Sequence, residues 1–410
     1  MMEVVVIGGG AAGMMAAIFA ARNGARVTLL DRNEKLGKKI YITGKGRCNV
    51  TNACDMEEFI KQVPRNGRFL YSALNFFSPG DMMAFLENAG CPVVVERGRR
   101  VFPKSQKASD VNRALQKEMV RAGVQVRLHA RVSSLVVNEG AVNGVALCDG
   151  PDIAADRVIV ATGGKSYPMT GSTGDGYRLL EAAGHTIVPP TAALSALRTV
   201  ESWPKALQGV ALKNVTLTLL EGKKKRYSEL GEMLFTHFGI SGPLVIEASS
   251  HLEADKMKDY ELLIDLKPGL SAQQLEARLL REFEQAPNKQ LKNVLISLLP
   301  GKMAAVFPEI IGIDDAMPIH SVTRETRQRI IDGLKALPIR IEGLCGIAEA
   351  IITRGGVNVK EIQANTMESK AVKGLYAAGE VIDVDAYTGG YNLQVAFSTG
   401  ALAGENAATN

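Results

Sequence analysis

The stretch "EVVVIGGGAAGMMAAIFAARNGARVTLLDR", residues 3–32, decides how the rest of the chain is read. Residues 3–7 are a short β-branched run, as expected of a strand buried on both faces of a parallel sheet. Residues 11–23 are rich in Ala, Met, Ile and Phe, which suits a helix, and Gly24 offers its C-terminal stop. Residues 27–30 read as a second buried strand, ending at Asp31. Between the first strand and the helix lies Gly8-x-Gly10-x-x-Gly13. Gly8 permits a tight turn, Gly10 lets backbone approach a pyrophosphate with no Cβ in the way, and Gly13 allows close helix–strand packing. The helix N-terminus adds free N–H donors and a partial positive charge. Asp31, 18 residues past Gly13, can accept hydrogen bonds from an adenosine ribose, with Arg32 beside it. A lone glycine triplet is weak, but inside a strand–helix–strand unit closed by an acid it marks a dinucleotide-binding α/β fold. The triplet does not distinguish FAD from NAD.

The totals bound the remainder. At 410 residues the chain has room for two or three domains, and 46% hydrophobic with 22% charged residues describe a globular protein. A net charge of +5 argues against nucleic acid as a partner, although basic residues gather at 35–47, 97–107 and 223–226. For 223–226 a solvated face is the preferred reading. Five cysteines without a CxxC fit a reducing compartment, and five histidines without paired spacing predict no metal site. The opening "MMEVVVIGGG" lacks the basic segment of a signal peptide, and no uncharged apolar stretch reaches the ~18 residues of a membrane span. The expectation is a cytoplasmic protein with no membrane partner, its oligomeric state left open.

Further along, 55–90 reads as helical and 93–103 as a strand pair or strand plus loop. Residues 109–123 form a helix capped by Ser109 and Asp110 and stopped by Gly123. Residues 124–150 suit short strands joined at "NEG" and "VNG" turns. Another buried strand runs into glycines at 156–164, and 171–184 offers a turn and a helix. From about 191 the texture changes. Residues 191–270 read as a β-rich insert, with 330–345 as a candidate completing segment. Residues 271–330 read as a helical insert, with Pro287, Pro300 and Pro308 as breaks. The nucleotide domain is then split, 1–190 plus 341–410.

The C-terminal region favours FAD. "GLYAAGEV" (374–381) is a strand ending in Gly379-Glu380, an acid placed to meet a ribityl chain. "GGYNLQVAFSTGALAGENAA" (389–408) starts a helix whose N-terminus would stabilise negative charge on a reduced flavin, a need NAD does not have. With "GKGRCNVTN" (44–52), "RVFPKSQKASDV" (100–111), "VIVATGG" (158–164), "TGDGY" (173–177), "LFTHFGISGP" (234–243) and "IITRGGV" (351–357), these motifs run across essentially the whole chain. Together they resemble the YhiN/BaiN-like family of FAD-dependent flavoproteins.

The resemblance implies a Rossmann-like FAD-binding domain of the two-dinucleotide-binding type, interrupted by the β-rich and helical inserts. Residue by residue, it implies that Gly8, Gly10, Ala12 and Gly13 hold the pyrophosphate and that Asp31 and Arg32 lie at the adenosine. Lys39, Gly46, Arg47, Cys48 and Asn49 would line the flavin side. Val132 would meet the adenine, with Thr162 and Gly163 near the same strand end. Gly379 and Glu380 would meet the ribityl chain, and Asn392, Leu393 and Gln394 the isoalloxazine edge.

A flavin transfers hydride at N5, so the protein must also handle a proton. The catalytic candidates are Tyr391, His237 and Cys48, with Tyr387 beside the first. Tyr391 can equally pack on the ring, and His237 can equally be a structural histidine in a glycine-rich turn. Cys48 and Cys54 have no known redox spacing, so a small thiol facing the flavin is preferred to a dithiol. Arg99, Arg100 and Lys104 suit a carboxylate or a nicotinamide-nucleotide phosphate, though a solvated loop is the preferred reading.

The leading expectation is an NAD(P)H-linked reductase of a small or steroid-like carbonyl or enone. NAD(P)H would visit transiently, because no second glycine fingerprint provides a dedicated domain for it. An oxygen-using amine or amino-ketone oxidase that makes hydrogen peroxide is the first alternative. A flavin-binding RNA-modifying protein is the second, weakened by only 5% aromatic residues.

Overall fold

The computed structural model describes residues 1–409, with backbone alone at 254 and 255. Its contacts divide into two units: 1–193 with the segment from 347 onward, and 194–346.

The first unit is built on a five-stranded parallel sheet. In spatial order the strands are Leu375–Ala377, Arg157–Val160, Glu3–Ile7, Arg26–Leu30 and Gln125–Arg127. The central strand is buried from Val4 to Ile7, which explains its unbroken apolar run. The helix Ala11–Arg22 follows it directly and packs against the C-terminal helix Tyr391–Thr409. Small residues make that contact possible. A Cβ on Gly400 would stand 2.2 Å from the Ala12 carbonyl oxygen, and one on Gly404 would stand 2.2 Å from that of Ala16. This close helix pair covers the sheet, so the two ends of the chain share one core.

Around the sheet sit a small antiparallel sheet of Thr51–Asn52, Arg100–Pro103 and Val93–Val95, and a second of Val132–Asn138, Ala141–Leu147 and Ile153–Ala154. The expected turn at Glu139-Gly140 is present, both residues having positive φ. The expected "VNG" turn is not: Val142, Asn143 and Gly144 lie inside the Ala141–Leu147 strand. Gly144 serves there to admit the neighbouring strand, since a Cβ would sit 2.2 Å from the Ile153 carbonyl oxygen. The helix read at 109–123 spans Ala108–Ala122, so Ser109 and Asp110 fall inside its first turn, while Gly123 closes it at φ 79°.

The second unit is a closed antiparallel barrel. Its strands run Leu197–Thr199, Gly239–Ser241, Lys224–Thr236, Ala211–Glu221, Tyr260–Asp265 and Leu337–Leu344. Between its last two strands in sequence come four helices, Ala272–Glu284, Leu291–Leu295, Gly301–Ile310 and Arg324–Lys335. Barrel and helices bury one shared apolar cluster. Pro308, read as a break, lies within Gly301–Ile310, close enough to its end to cost little of the helical ladder. Among the described residues, no helix is long and apolar enough to cross a membrane.

Candidate functional site

The glycine turn stands at the carboxyl end of the central parallel strand, where ligands of open α/β sheets bind. Gly8 has φ 103°, and a Cβ on it would lie 2.6 Å from the Ala161 carbonyl oxygen, so only glycine fits. Gly13 is equally constrained, 1.8 Å from the Gly8 oxygen. Gly10 differs: a Cβ there would meet nothing within 4 Å. It caps the Ala11–Arg22 helix, whose first turn therefore receives no side-chain bond from its cap. This is the chemistry a pyrophosphate needs, and it is the test the residues present pass for a dinucleotide.

Asp31 is buried and already committed. Its Oδ2 accepts from the Gly9 N–H at 2.7 Å, and its Oδ1 accepts from the Asn33 backbone and side-chain nitrogens at 2.7 and 2.9 Å. The carboxylate therefore holds the glycine turn in place, with acceptor capacity remaining mainly on Oδ2. Arg32 and Arg131 both pair with Asp175. Backbone bonds from His129 to Asn33 and from Ala130 to Asp31 carry Val132 to the same end. Gly163 lies nearby against Ser172, while the Thr162 hydroxyl is turned toward Gly176.

The flavin-side candidates separate into two groups. Lys39 Nζ donates to Glu380 Oε2 at 2.7 Å and to Ser166 Oγ at 2.6 Å. Glu380 Oε1 accepts from Ser166 Oγ at 3.0 Å and from the Thr353 N–H at 2.7 Å. Gly379 packs on Ala12, where a Cβ would be 2.7 Å from the Ala12 Cβ, so this network adjoins the start of the first helix. Arg47 is elsewhere engaged: it bonds Glu96 and Gln106, and its guanidinium lies 4.1 Å over the Phe102 ring. The segment 44–48 is held in left-handed backbone at Gly44, Lys45, Gly46 and Cys48. Strain of that density is typical of functional loops.

Asn49 brings this segment to the C-terminal helix. A Cβ on Gly390 would lie 2.9 Å from Asn49 Oδ1 and 2.3 Å from the Thr51 carbonyl oxygen. Asn392 ties the preceding loop by bonds to Ala386 and Tyr387, and Leu393 is half-buried. Gln394 is fully buried, donating to the Phe77 carbonyl and to Ser398. Asn49 Oδ1 and Gln394 Oε1 are buried acceptors without a partner, as expected beside a polar ligand edge.

Tyr391 is buried edge-on against Phe59, with ring centroids 5.1 Å apart. Burial, then the neighbouring Cys54 and Glu58, push its phenol pKa up, so it stays protonated. Cys54 bonds it, and burial pushes that thiol up to about 11. Cys48 is wholly buried, and burial with Cys91 beside it raises its thiol far above the range of a reactive thiolate. His237 is an exposed turn residue of the barrel unit, edge-on to Phe238. Two buried acids of the 380–385 stretch, Asp383 and Asp385, pair with Arg65 and Arg354.

Sequence reasoning missed Ser166 and Thr353. Ser166 follows the Gly163-Gly164 pair, and Thr353 lies inside "IITRGGV", but neither residue type signals a role until the chain brings it to Glu380.

A family model described as "HI0933-like protein Rossmann domain" matches residues 2–406. A 3-dehydro-bile acid delta(4,6)-reductase of Clostridium scindens is 34% identical, covering 100% of this chain and 99% of its own. A ribosomal RNA dihydrouridine synthase of Haemophilus influenzae is 32% identical, covering 97% and 96%. Among solved structures, the open conformation of a flavocytochrome c3 fumarate reductase superposes with a TM-score of 0.54 at 17% identity. It covers 100% of this chain and 78% of its own, a likeness of fold.

Proposed function

The chain belongs to the HI0933-like Rossmann family of FAD-dependent oxidoreductases, and from that premise we propose that it reduces a carbon–carbon double bond conjugated with a carbonyl. NADH or NADPH would supply the electrons. The observation that carries the cofactor reading is the open Gly8–Gly13 turn at the carboxyl end of the parallel sheet. Support for the reaction comes from the two relatives. One is named a reductase of a dehydro-bile acid and the other a dihydrouridine synthase, and hydrogen added across a double bond conjugated with a carbonyl accounts for both names.

FAD, when bound, supplies hydride from N5 of its reduced form to the alkene carbon remote from the carbonyl. Gly8, Gly10, Ala12 and Gly13 would hold its pyrophosphate, Asp31 and Arg32 its adenosine, and Glu380 its ribityl chain. Asn49 and Gln394 would meet the ring edge with their unpartnered oxygens. Tyr391, buried and protonated, would donate the proton to the carbon next to the carbonyl.

A uridine in RNA is the second form of the same substrate. It is favoured by exposed Lys45, Arg97, Arg100, Lys104 and Lys107, in and around the strand Arg100–Pro103 and the 44–49 segment. The test is anaerobic titration of the yellow protein with NADH and NADPH, then reoxidation by 3-oxo-4-ene steroids or by unmodified ribosomal RNA. Reoxidation with a saturated product supports the reading. Hydrogen peroxide formed from an amine once air is admitted, with no reaction of any conjugated alkene, overturns it in favour of an oxidase.

A further inference from the structure

Lys39 and Glu380 stand on different segments of the first unit. Gly37, bonded through its N–H to the Gly9 carbonyl, sets the course of the first. Glu380 follows the Leu375–Ala377 strand, and Ser166 follows the Arg157–Val160 strand. The network thus joins the carboxyl ends of neighbouring parallel strands, beside the open glycine turn. Its two charges are neither buried away nor fully solvated, with side chains 26% and 20% exposed.

Uncharged groups fix the pair. Ser166 is fully buried and bridges the two ionic groups. Thr353 donates its N–H to Glu380, and its hydroxyl accepts from the N–H groups of Lys165 and Ser166 at 2.8 and 3.0 Å. Gly164 makes room: a Cβ there would be 2.4 Å from the Thr353 hydroxyl oxygen. Such a scaffold is more than FAD retention needs, because an isolated ribose or ribityl acceptor requires no compensating ammonium. It suits two opposed charges whose balance matters.

We infer that Lys39 and Glu380 are a positioning pair that sets the reduction potential of the bound flavin, with Ser166 and Thr353 holding them together. This rests on the FAD reading above. Reduction adds negative charge to the flavin, which an ammonium favours and a carboxylate opposes. Glu380 restrains Lys39, so removing either charge shifts the potential in opposite directions. A merely structural role would loosen the site the same way in both variants.

The experiment measures the ratio of reduced to oxidised flavin in the holoprotein against a reference dye of known potential. In Lys39→Met the ratio at fixed potential falls about tenfold, and in Glu380→Gln it rises about tenfold, each equal to about 30 mV for a two-electron couple. Lys39→Arg, which keeps the charge, stays within about threefold of the native protein. If a variant releases its cofactor, separate affinities for oxidised and reduced FAD report the same ratio, since loosening alone weakens both equally. Shifts of one sign in both charge variants, or no shift in either, overturn the inference. A native protein that binds no FAD overturns the cofactor reading itself, and this inference with it.

Discussion

At the scale of single residues, charge and burial sort candidates that look alike in sequence. Lys39 and Arg47 belong to one basic run, yet Lys39 reaches Glu380 while Arg47 is spent on Glu96, Gln106 and Phe102. Cys48 and Cys148 are both plain cysteines, but only Cys148 is exposed among the five. Thiol titration of the native protein should therefore find about one reactive group, rising to all five on denaturation. A second fast-reacting thiol assigned to Cys48 would restore a redox role for it. Tyr391→Phe keeps the packing on Phe59 and removes the proton. Turnover should fall about 100-fold with FAD affinity unchanged. Because burial raises the phenol pKa, the native rate should show no alkaline decline from this group below about pH 10. Unaltered turnover in the Phe variant would remove Tyr391 from the chemistry. Gly8 and Gly13 were legible in the sequence because a Cβ at either would collide with backbone, and Gly10 because it opens the start of the helix. Partners of charged side chains were not, since those depend on which segments meet.

At the scale of elements, the two helices that pack at Gly400 and Gly404 are a place where one methylene matters. Gly404→Val would drive side-chain atoms into the Ala16 carbonyl, and a loss of about 2–3 kcal/mol in denaturant unfolding is expected. A variant as stable as the native protein would mean the helices can separate without cost. His185 closes the Asp175–Ala182 helix onto a distant loop, through Ser369 at 2.8 Å and Glu361 at 3.3 Å. Burial lowers its pKa below the unfolded value of about 6.5, so the folded state keeps it neutral. As pH falls the unfolded chain takes up the proton first, and the stability present above that value is lost. Glu361, held low by the Thr186 N–H and His185 against the opposing effect of burial, adds loss of the same sign at lower pH. The melting temperature should drop between about pH 7 and about pH 5.5, and His185→Gln should flatten that slope. An unchanged slope would show that other groups govern it. Hydrophobic period located the strands and helices well. It failed at "VNG" and Pro308, because a glycine admitting a neighbouring strand looks like a turn and a proline near a helix end looks like a stop.

At the scale of the whole molecule, the chain leaves the first unit and returns to it side by side. The strands Ile187–Ala193 and Ile352–Val357 pair antiparallel, with Ala193 opposite Ile352. Replacing 194–346 by a short glycine–serine turn should leave a folded first unit that still binds FAD, read by its yellow colour and cooperative melting. A colourless or aggregated product would show that this unit does not fold alone. The amino-acid sequence determined the dinucleotide-binding start of the first unit, because the glycine turn, the following helix and the closing acid are neighbours whose physics is local. It also determined the kinship of the chain, through motifs strung along its length. Only the tertiary structure decided which of those motifs act together. Lys39, Ser166, Thr353 and Glu380 are hundreds of residues apart at the extremes and meet within hydrogen-bond reach. Electrostatic pairing depends on distance through space, and no spacing along the chain encodes it.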